Sequence, residues 1–186
     1  MEQDIKDRKK SGLFSYIKLV IITFLIVFGC KQFLFAPIKV LGASMYPSYE
    51  DKDVIIVSKL SKIERFDQIV FQSPTEDALY IKRVIGLPGD TIEMIDDILY
   101  VNDVAYDEGY VNRKTEEENQ LRTTENFTLE ELVGSSTVPA NHYFVLGDNR
   151  LKSFDSRHYG FITEDAVFGE SKMTVFPFEH FTSNGK

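Results

Sequence analysis

The chain has few of the residues that build disulfides or metal sites. Among its 186 residues there is one cysteine, Cys30, and there are only three histidines. A single cysteine excludes an internal disulfide, and His142, His158 and His180 form no cluster with the spacing of a zinc site. We therefore expect no metal and no other cofactor.

The chain also lacks a surplus of positive charge. Its 21 Lys and Arg residues are outnumbered by 29 Asp and Glu residues, which gives a net charge of -8. Such a chain as a whole repels a phosphate backbone, so we expect no nucleic-acid partner. There are no internal repeats, and a hydrophobic content of 43% is ample for one domain with a short appendage.

One long apolar segment covers 13–35 and follows a basic N-terminus. As a helix it would be roughly 34 Å long, against about 30 Å for the hydrocarbon core of a bilayer. Lys18 lies near its N-terminal end, where the amine can reach the headgroups. Since basic flanks stay in the cytoplasm, we predict a single-pass protein of the cell membrane. Its predicted parts are a cytoplasmic N-terminus over 1–11, a transmembrane helix over 12–35 and an extracytoplasmic β domain over 36–186.

Two other interpretations of the apolar segment are disfavoured. A cleaved signal peptide has a shorter apolar region and a cleavage site of small residues, whereas 31–35 reads Lys-Gln-Phe-Leu-Phe. A lipoprotein would be acylated at Cys30, but the bulky Phe28 lies where such sites have small residues. Cys30 is therefore interpreted as an ordinary helix residue.

Beyond residue 36 the apolar runs are short and separated by turn residues, which predicts a mainly β domain. Turn signals include Asp96-Asp97, which is expected to close a tight hairpin. The polar, acidic stretch over 103–137 is interpreted as a solvated excursion from the sheet. The predicted strands are Val54 to Ser58, Gln68 to Gln72, Leu79 to Ile85, Thr91 to Ile95, Ile98 to Val101, Tyr143 to Leu146 and Ala166 to Pro177.

Ser44 and Lys82 are the first candidates for chemistry. A serine hydroxyl is a poor nucleophile until a base takes its proton, and a lysine can do so only when burial keeps it neutral. Ser44 stands in Gly-Ala-Ser-Met-Tyr-Pro, and Lys82 in the apolar stretch 79–85. In a strand Lys82 and Arg83 face opposite sides, so one of them points to a functional place or both lie at an edge with their charges in water. A lone serine of this kind is also compatible with an ordinary loop.

A third segment, 147–160, directly follows an apolar strand. It is dense in Gly, Asp, Asn, Ser and Arg, whose side chains bond to local backbone, and Asp155 with Arg157 forms a candidate ion pair that braces a site. The alternative is a turn rich in Asp and Asn that has no chemical role.

These three segments in this order, Ser44-Met45-Tyr46-Pro47, Lys82-Arg83 leading into Gly86-Leu87-Pro88-Gly89-Asp90, and 147–157, resemble bacterial type I signal peptidases. The resemblance extends from the basic N-terminus to about Gly169, and the compact form is similar to that of Gram-positive bacteria. It implies a β-sheet domain of the signal peptidase type. It further implies a membrane-bound serine endopeptidase that cleaves signal peptides from exported preproteins, with the lipid bilayer as its other partner.

The resemblance also implies residue roles. Ser44 would be the nucleophile, Lys82 the general base, and Ser153 a hydrogen-bond partner of the lysine, with Asp155 and Arg157 as structural supports. Some relatives carry a serine that donates to the oxyanion where this chain has Gly42, so only backbone donors, including the Ser44 N–H, are expected. We expect His158 to be a surface residue.

Other functions would require different sequence features. A signal peptidase-like protein of pilus or surface-protein assembly remains an alternative, whereas a catalytically dead relative would lack Ser44 or Lys82. A self-cleaving repressor would need a DNA-binding module in place of the apolar segment. A penicillin-recognising enzyme would show Ser-x-x-Lys, but Pro47 stands at the third position after Ser44.

Overall fold

A computed structural model describes residues 16–29, 34–111 and 123–180. The chain divides into two compact units, one up to Ala36 and one from Pro37 onward. In the first unit a helix, α1, covers 16–29, and most of its apolar side chains are exposed. In the described part of the chain, no helix combines the length and hydropathy of a membrane span. The predicted transmembrane segment 12–35 lies partly outside the described residues, as does the predicted cytoplasmic N-terminus 1–11.

The second unit is mainly β, as predicted. The strands are β1 (Phe35–Lys39), β2 (Val54–Ser58), β3 (Gln68–Gln72), β4 (Leu79–Gly86), β5 (Ile92–Ile95), β6 (Ile98–Val101), β7 (Val104–Tyr106), β8 (Phe127–Thr128), β9 (His142–Leu146), β10 (Ile162–Thr163) and β11 (Val167–Phe176). Two short helices are α2 (Leu129–Val133) and α3 (Ser156–Tyr159). The strands form a seven-stranded sheet in the order β1-β2-β11-β3-β4-β9-β10 and a four-stranded sheet in the order β7-β6-β5-β8.

Strand β4 lies inside the larger sheet, between β3 and β9. Its sequence is rich in β-branched residues, which pack well on a pleated surface. The side chains are buried from Ile81 to its end, so this strand has apolar contacts on both faces. Its register places Lys82 opposite Ile69 of β3 and Arg83 opposite Leu146 of β9. Two consecutive charged residues are thereby carried into the interior.

The four-stranded sheet is built around the β5–β6 hairpin. Asp96 and Asp97 close it with φ angles of 50° and 61°, and Ile95 pairs with Ile98. Two consecutive residues at positive φ match the twist that a two-residue hairpin loop requires. The turn predicted at these aspartates is confirmed.

The polar stretch 103–137 differs from the expected solvated excursion. Its described parts contribute β7, β8 and α2, and Glu108, Phe127 and Leu129 are all buried. Helix α2 begins with a capping box in which Thr128 and Glu131 each satisfy the other's backbone N–H. The stretch is polar in composition, yet its few apolar residues are enough to dock both ends onto the domain.

Apolar packing supports the turn that carries Ser44. Met45 and Tyr49 are each 1% exposed and join a core cluster with Val40, Ile55 and Ile81. The side chains on either side of this turn therefore anchor it to the sheet, because removing such groups from water is favourable.

Candidate active site

Ser44 lies in the turn that follows β1. Its neighbour Met45 points into the core, and the Tyr49 N–H donates to the Met45 carbonyl at 3.0 Å. Ser44 itself is half-buried and forms part of a cavity wall. The buried Met45 anchors the turn in the core, and Ser44 beside it lies at the wall of the cavity.

Lys82 reaches Ser44 from β4. The distance between Lys82 Nζ and Ser44 Oγ is 2.8 Å, and Nζ also donates to the carbonyl of Ile81 at 3.0 Å. Lys82 is only 4% exposed. Burial lowers the pKa of Lys82 to about 8, although the charges of Asp155 and Asp148 act in the opposite direction. The amine is thus near its neutral form at mildly alkaline pH.

Arg83 points away from Lys82 and binds Asp148. Its Nε donates to Oδ1 at 2.9 Å and its Nη2 to Oδ2 at 2.5 Å, and Nη1 donates to the carbonyl of Phe66 at 2.8 Å. The Arg83 guanidinium also lies 3.9 Å from the centre of the Tyr110 ring. Of the two possibilities left open for this pair, the structure shows both charges buried and bonded, with neither at a sheet edge.

The loop after β9 approaches Ser44 through its glycine. A Cβ built on Gly147 would lie 2.1 Å from Ser153 Oγ and 2.5 Å from the carbonyl oxygen of Ser44. No side chain fits at those distances. Gly147 therefore permits the close approach of Ser44 and Ser153, a role that the sequence alone did not reveal.

Asn149, in the same loop, binds the turn directly. Its backbone N–H donates to the Ser44 carbonyl at 3.0 Å, and its side-chain Nδ2 donates to the Ala43 carbonyl at 2.9 Å. Sequence reasoning singled out neither contact, because Asn149 and Ser44 are far apart in the chain.

Ser153 is buried beside these residues, but its predicted bond to Lys82 is not formed. Among the described residues, Ser153 Oγ makes no hydrogen bond of normal length and angle, although it lies close enough to the Asp155 carboxyl to help lower its pKa. The Lys82 amine instead uses the hydroxyl of Ser44 and the carbonyl of Ile81. The structure brings Ser153 to the site as a packing neighbour.

Asp155 and Arg157 form an ion pair below the site. Arg157 Nε donates to Asp155 Oδ1 at 2.8 Å, and the Gly147 N–H donates to Asp155 Oδ2 at 3.0 Å. Asp155 is 0% exposed and is the N-cap of α3. Burial raises the pKa of the Asp155 carboxyl, but the hydrogen bond and charge of Arg157 outweigh it, and the net pKa is lowered.

Another buried ion pair, between Arg150 and Glu108, also escaped the sequence analysis. Both Nη atoms of Arg150 donate to the Glu108 carboxylate, and each side chain is only 1% exposed. Tyr110 donates to Glu108 at 2.6 Å, so it contacts this pair as well as Arg83. The sequence shows only an arginine in the segment 147–160 and a glutamate in the polar stretch 103–137. No local pattern indicates that these two residues pair.

A cavity of about 590 Å³ opens beside Ser44 and Lys82. Most of its wall is apolar, and its side chains come from both sides of the turn and from β4. Among the lining residues are Ile38, Val40, Val70, Leu79, Ile81 and Phe154.

Two remaining expectations concern Gly42 and His158. Gly42 has φ 82° and supplies no side-chain donor, and its N–H donates to Asp51 at 2.9 Å. His158 is exposed, as predicted, and lies 5.0 Å from the Phe154 ring. Within the described residues, no three His, Cys, Asp or Glu side chains are grouped so as to hold a metal ion.

Comparison with known proteins identifies the class. A family model described as signal peptidase, peptidase S26, matches residues 13–176. A solved signal peptidase I from Enterococcus faecalis V583 is similar with a TM-score of 0.55 and 45% identity, covering 59% of this chain and 97% of that one. The mainly β fold is thus that of a signal peptidase.

The curated relatives extend this similarity over most of the chain. Signal peptidase I of Bacillus caldolyticus is 44% identical over 160 residues, covering 84% of this chain and 87% of the relative. That of Bacillus licheniformis is 37% identical over 185 residues, covering 96% of each. The chain belongs to the signal peptidase family, peptidase S26. Its activity is that of a signal peptidase I, an endopeptidase.

Proposed function

We propose that Ser44 and Lys82 are the nucleophile and general base with which this signal peptidase cleaves signal peptides from exported preproteins. The observation that carries the proposal is the 2.8 Å distance between Lys82 Nζ and Ser44 Oγ at a buried amine. Hydrogen-bond contact between nucleophile and base is the geometric requirement for this chemistry. A lysine whose pKa falls to about 8 supplies the neutral base that an exposed lysine does not.

Acylation follows from that contact. Neutral Lys82 takes the proton of Ser44 Oγ as the oxygen attacks the scissile carbonyl, and the carbonyl electron pair moves onto its oxygen. When the tetrahedral intermediate collapses, the C–N bond breaks and the leaving amine takes the proton from the Lys82 ammonium. The products of this step are the free mature N-terminus and a Ser44 ester.

Deacylation uses the same lysine in the same two roles. Lys82, neutral again, takes a proton from a water molecule, which attacks the ester carbonyl. On collapse, Ser44 Oγ leaves and regains its proton from Lys82. The Ile81 carbonyl accepts an N–H of the amine at 3.0 Å and so helps to hold the Lys82 nitrogen beside Ser44. Each step uses only protein groups and water.

The oxyanion is assigned to the backbone N–H of Ser44. Among the described residues this N–H has no hydrogen-bond acceptor, and Ser44 lines the cavity. Gly42 offers no hydroxyl at the position where some relatives have one. A preorganised donor of this type contributes about 2.7 to 4 kcal/mol to transition-state stabilisation.

The supporting residues are assigned to the frame below the site. Asp155 binds Arg157 and the Gly147 N–H, and Gly147 in turn packs against Ser153 and the Ser44 carbonyl. Through these contacts Asp155 and Arg157 brace the loop, while Ser153 fills the space beside the nucleophile.

The cavity suits the segment before the cut. Its wall beside Ser44 is mostly apolar, and we expect it to exclude large side chains, which favours small residues at the first and third positions before the scissile bond. Hydrophobic discrimination of this kind is modest, about 1 to 3 kcal/mol per methylene.

The N-terminal segment is assigned to the bilayer. We expect 12–35 to span it once, with 1–11 in the cytoplasm and the catalytic domain 36–186 outside. The exposed apolar side chains of α1, the basic residues before it and the exposed Leu41 beside Ser44 support this assignment. Preproteins and the membrane are then the two partners of the chain.

The test uses the full chain in detergent with a purified preprotein. Wild type is expected to release a fragment whose new N-terminus, read by mass spectrometry, follows small residues at the first and third positions. Ser44→Ala, Lys82→Ala and Lys82→Arg should each lose essentially all activity, because nucleophile and base act as a unit and guanidinium stays charged. Ser136→Ala, an exposed serine elsewhere, is the matched control. Turnover by Ser44→Ala would remove the proposal.

A further inference from the structure

Asn149 contacts the peptide groups on both sides of Ser44. Its side-chain Nδ2 donates to the Ala43 carbonyl at 2.9 Å, and its backbone N–H donates to the Ser44 carbonyl at 3.0 Å. The Tyr46 N–H gives the Ala43 carbonyl a second, longer bond of 3.2 Å within the turn. One residue from a distant loop therefore holds the backbone on either side of the hydroxyl.

The Ala43 carbonyl belongs to the same peptide unit as the Ser44 N–H. This unit is trans, since the cis bonds in the described chain precede Pro47 and Pro177 only. In a planar trans peptide the C=O and N–H point in opposite directions, and the plane turns as one body. Holding the carbonyl oxygen therefore fixes the direction in which the Ser44 N–H points.

Stabilisation of the oxyanion depends more on the Ser44 N–H in this chain than in relatives that also have a side-chain donor. Gly42 removes the serine hydroxyl that assists in some relatives, so the transition state depends on the backbone alone. A donor stabilises the oxyanion most when it is already aligned before charge develops. A hydrogen bond to the carbonyl also polarises the peptide and strengthens its N–H as a donor.

Asn149 is itself held on both sides by buried ion pairs. Asp148, before it, binds Arg83, while Arg150, after it, binds Glu108. Arg150 Nε also donates to the Gly147 carbonyl at 3.2 Å. The loop backbone is therefore held in place at Asn149, and the Asn149 side-chain amide reaches the Ala43 carbonyl from a fixed position.

We infer that Asn149 is a positioning residue, whose side-chain amide aligns the Ser44 N–H with the developing oxyanion through the Ala43 carbonyl. The inference rests on the proposed roles of Ser44 and Lys82. Asn149 binds the Ala43 and Ser44 carbonyls rather than the Ser44 hydroxyl, so its proposed effect passes through the peptide unit.

Two substitutions test it in the full chain. Asn149→Ala removes the side-chain bond and keeps the backbone one, and we expect kcat to fall by about tenfold, less than the 100-fold or more for a lost donor. Asn149→Asp places a carboxylate against the carbonyl oxygen and should reduce kcat further. KM should stay within about twofold, because the effect belongs to the transition state.

Further readouts separate positioning from a structural role. A peptide aldehyde, which adds Ser44 Oγ to give a tetrahedral adduct, should bind about tenfold more weakly to Asn149→Ala, in step with kcat. The pH at which activity rises should not move, since Lys82 is untouched. The melting temperature should change no more than in Asn126→Ala, a control that loses one exposed bond to the Asp96 N–H.

The inference is overturned if Asn149→Ala keeps kcat within twofold of wild type. A loss of kcat without a matching loss of aldehyde affinity, or with an equally large change in KM or melting temperature, also overturns it. Failure of the proposed catalytic pair is a separate result, because it shows as cleavage by Ser44→Ala, whatever Asn149→Ala does.

Discussion

Lys82 and Arg83 are adjacent in β4, and their charged groups bind on opposite faces of the strand. Lys82 Nζ lies 2.8 Å from Ser44 Oγ, while Arg83 Nη2 lies 2.5 Å from Asp148. Successive strand residues point to opposite sides. The bonds of Arg83 to Asp148 on one face therefore hold the same backbone that carries Lys82 on the other face. Asp148 lies in the loop that also binds the Ser44 carbonyl through Asn149. This loop therefore holds Ser44 directly and Lys82 through its neighbour Arg83.

The first prediction concerns pH. Since Lys82 acts when neutral and burial lowers its pKa to about 8, kcat/KM should rise with pH around an apparent value near 8. The rise goes upward because deprotonation creates the base. Initial rates from pH 6 to 10 with a short preprotein measure it, and the Ser136→Ala control should give the same curve. A rise centred near 10.5, the value of an unburied lysine, would contradict the buried base.

The second prediction concerns Gly147. Gly147→Ala should abolish most activity, because its Cβ would lie 2.1 Å from Ser153 Oγ and 2.5 Å from the Ser44 carbonyl and would displace the nucleophile. Gly109→Ala is the matched control, as its Cβ would meet nothing within 4 Å. Cleavage rates and melting temperatures of both variants should be compared. Equal activity of the two alanine variants would show that the turn accommodates a side chain at Gly147.

The third prediction concerns Asp155. Asp155→Ala leaves Arg157 without its carboxylate and the Gly147 N–H without its acceptor, so stability should fall by about 3 to 5 kcal/mol. Thermal unfolding should show this loss, while Ser44→Ala melts like wild type. An unchanged melting temperature would remove the bracing role.

The pH dependence of that stability has a definite sign. The folded pKa of Asp155 is lowered, so its contribution is present above the unfolded carboxyl value of about 3.9 and is lost as the pH falls below it. The gap in unfolding free energy between wild type and Asp155→Ala should therefore narrow between about pH 5 and pH 2. A constant gap over that range would argue against an ionic cause.

The fourth prediction concerns the Glu108–Arg150 pair. Glu108→Gln leaves a buried guanidinium without its counter-charge and should cost about 3 to 5 kcal/mol, whereas replacing both residues by methionine should recover most of that loss. Lys172→Ala is the control, since Lys172 is 40% exposed in its pair with Glu170 and such pairs contribute about 0 to 1 kcal/mol. Denaturant unfolding of the variants measures the difference. A double variant no more stable than Glu108→Gln would show that the pair does more than neutralise charge.

Much of the sheet could be predicted because its signals are local. The predicted strands at Val54–Ser58, Gln68–Gln72 and Ile98–Val101 have the observed bounds, since a short apolar run bounded by turn residues is a signal carried by a few adjacent positions. Strand β1 was missed because Pro37 interrupts its pattern, and β8 is only two residues long. Short strands of this kind depend on a neighbouring strand more than on their own sequence.

The sequence by itself determined the family, the candidate pair Ser44 and Lys82, and the local turns, because motifs and periodicity are properties of adjacent residues. Only the tertiary structure decided that Lys82 faces Ser44 while Arg83 faces Asp148, that Glu108 pairs with Arg150, and that Asn149 holds the Ala43 carbonyl. Each of these contacts joins segments 38 to 106 residues apart. Their partners are chosen by strand register and core packing, which no local pattern in the chain encodes.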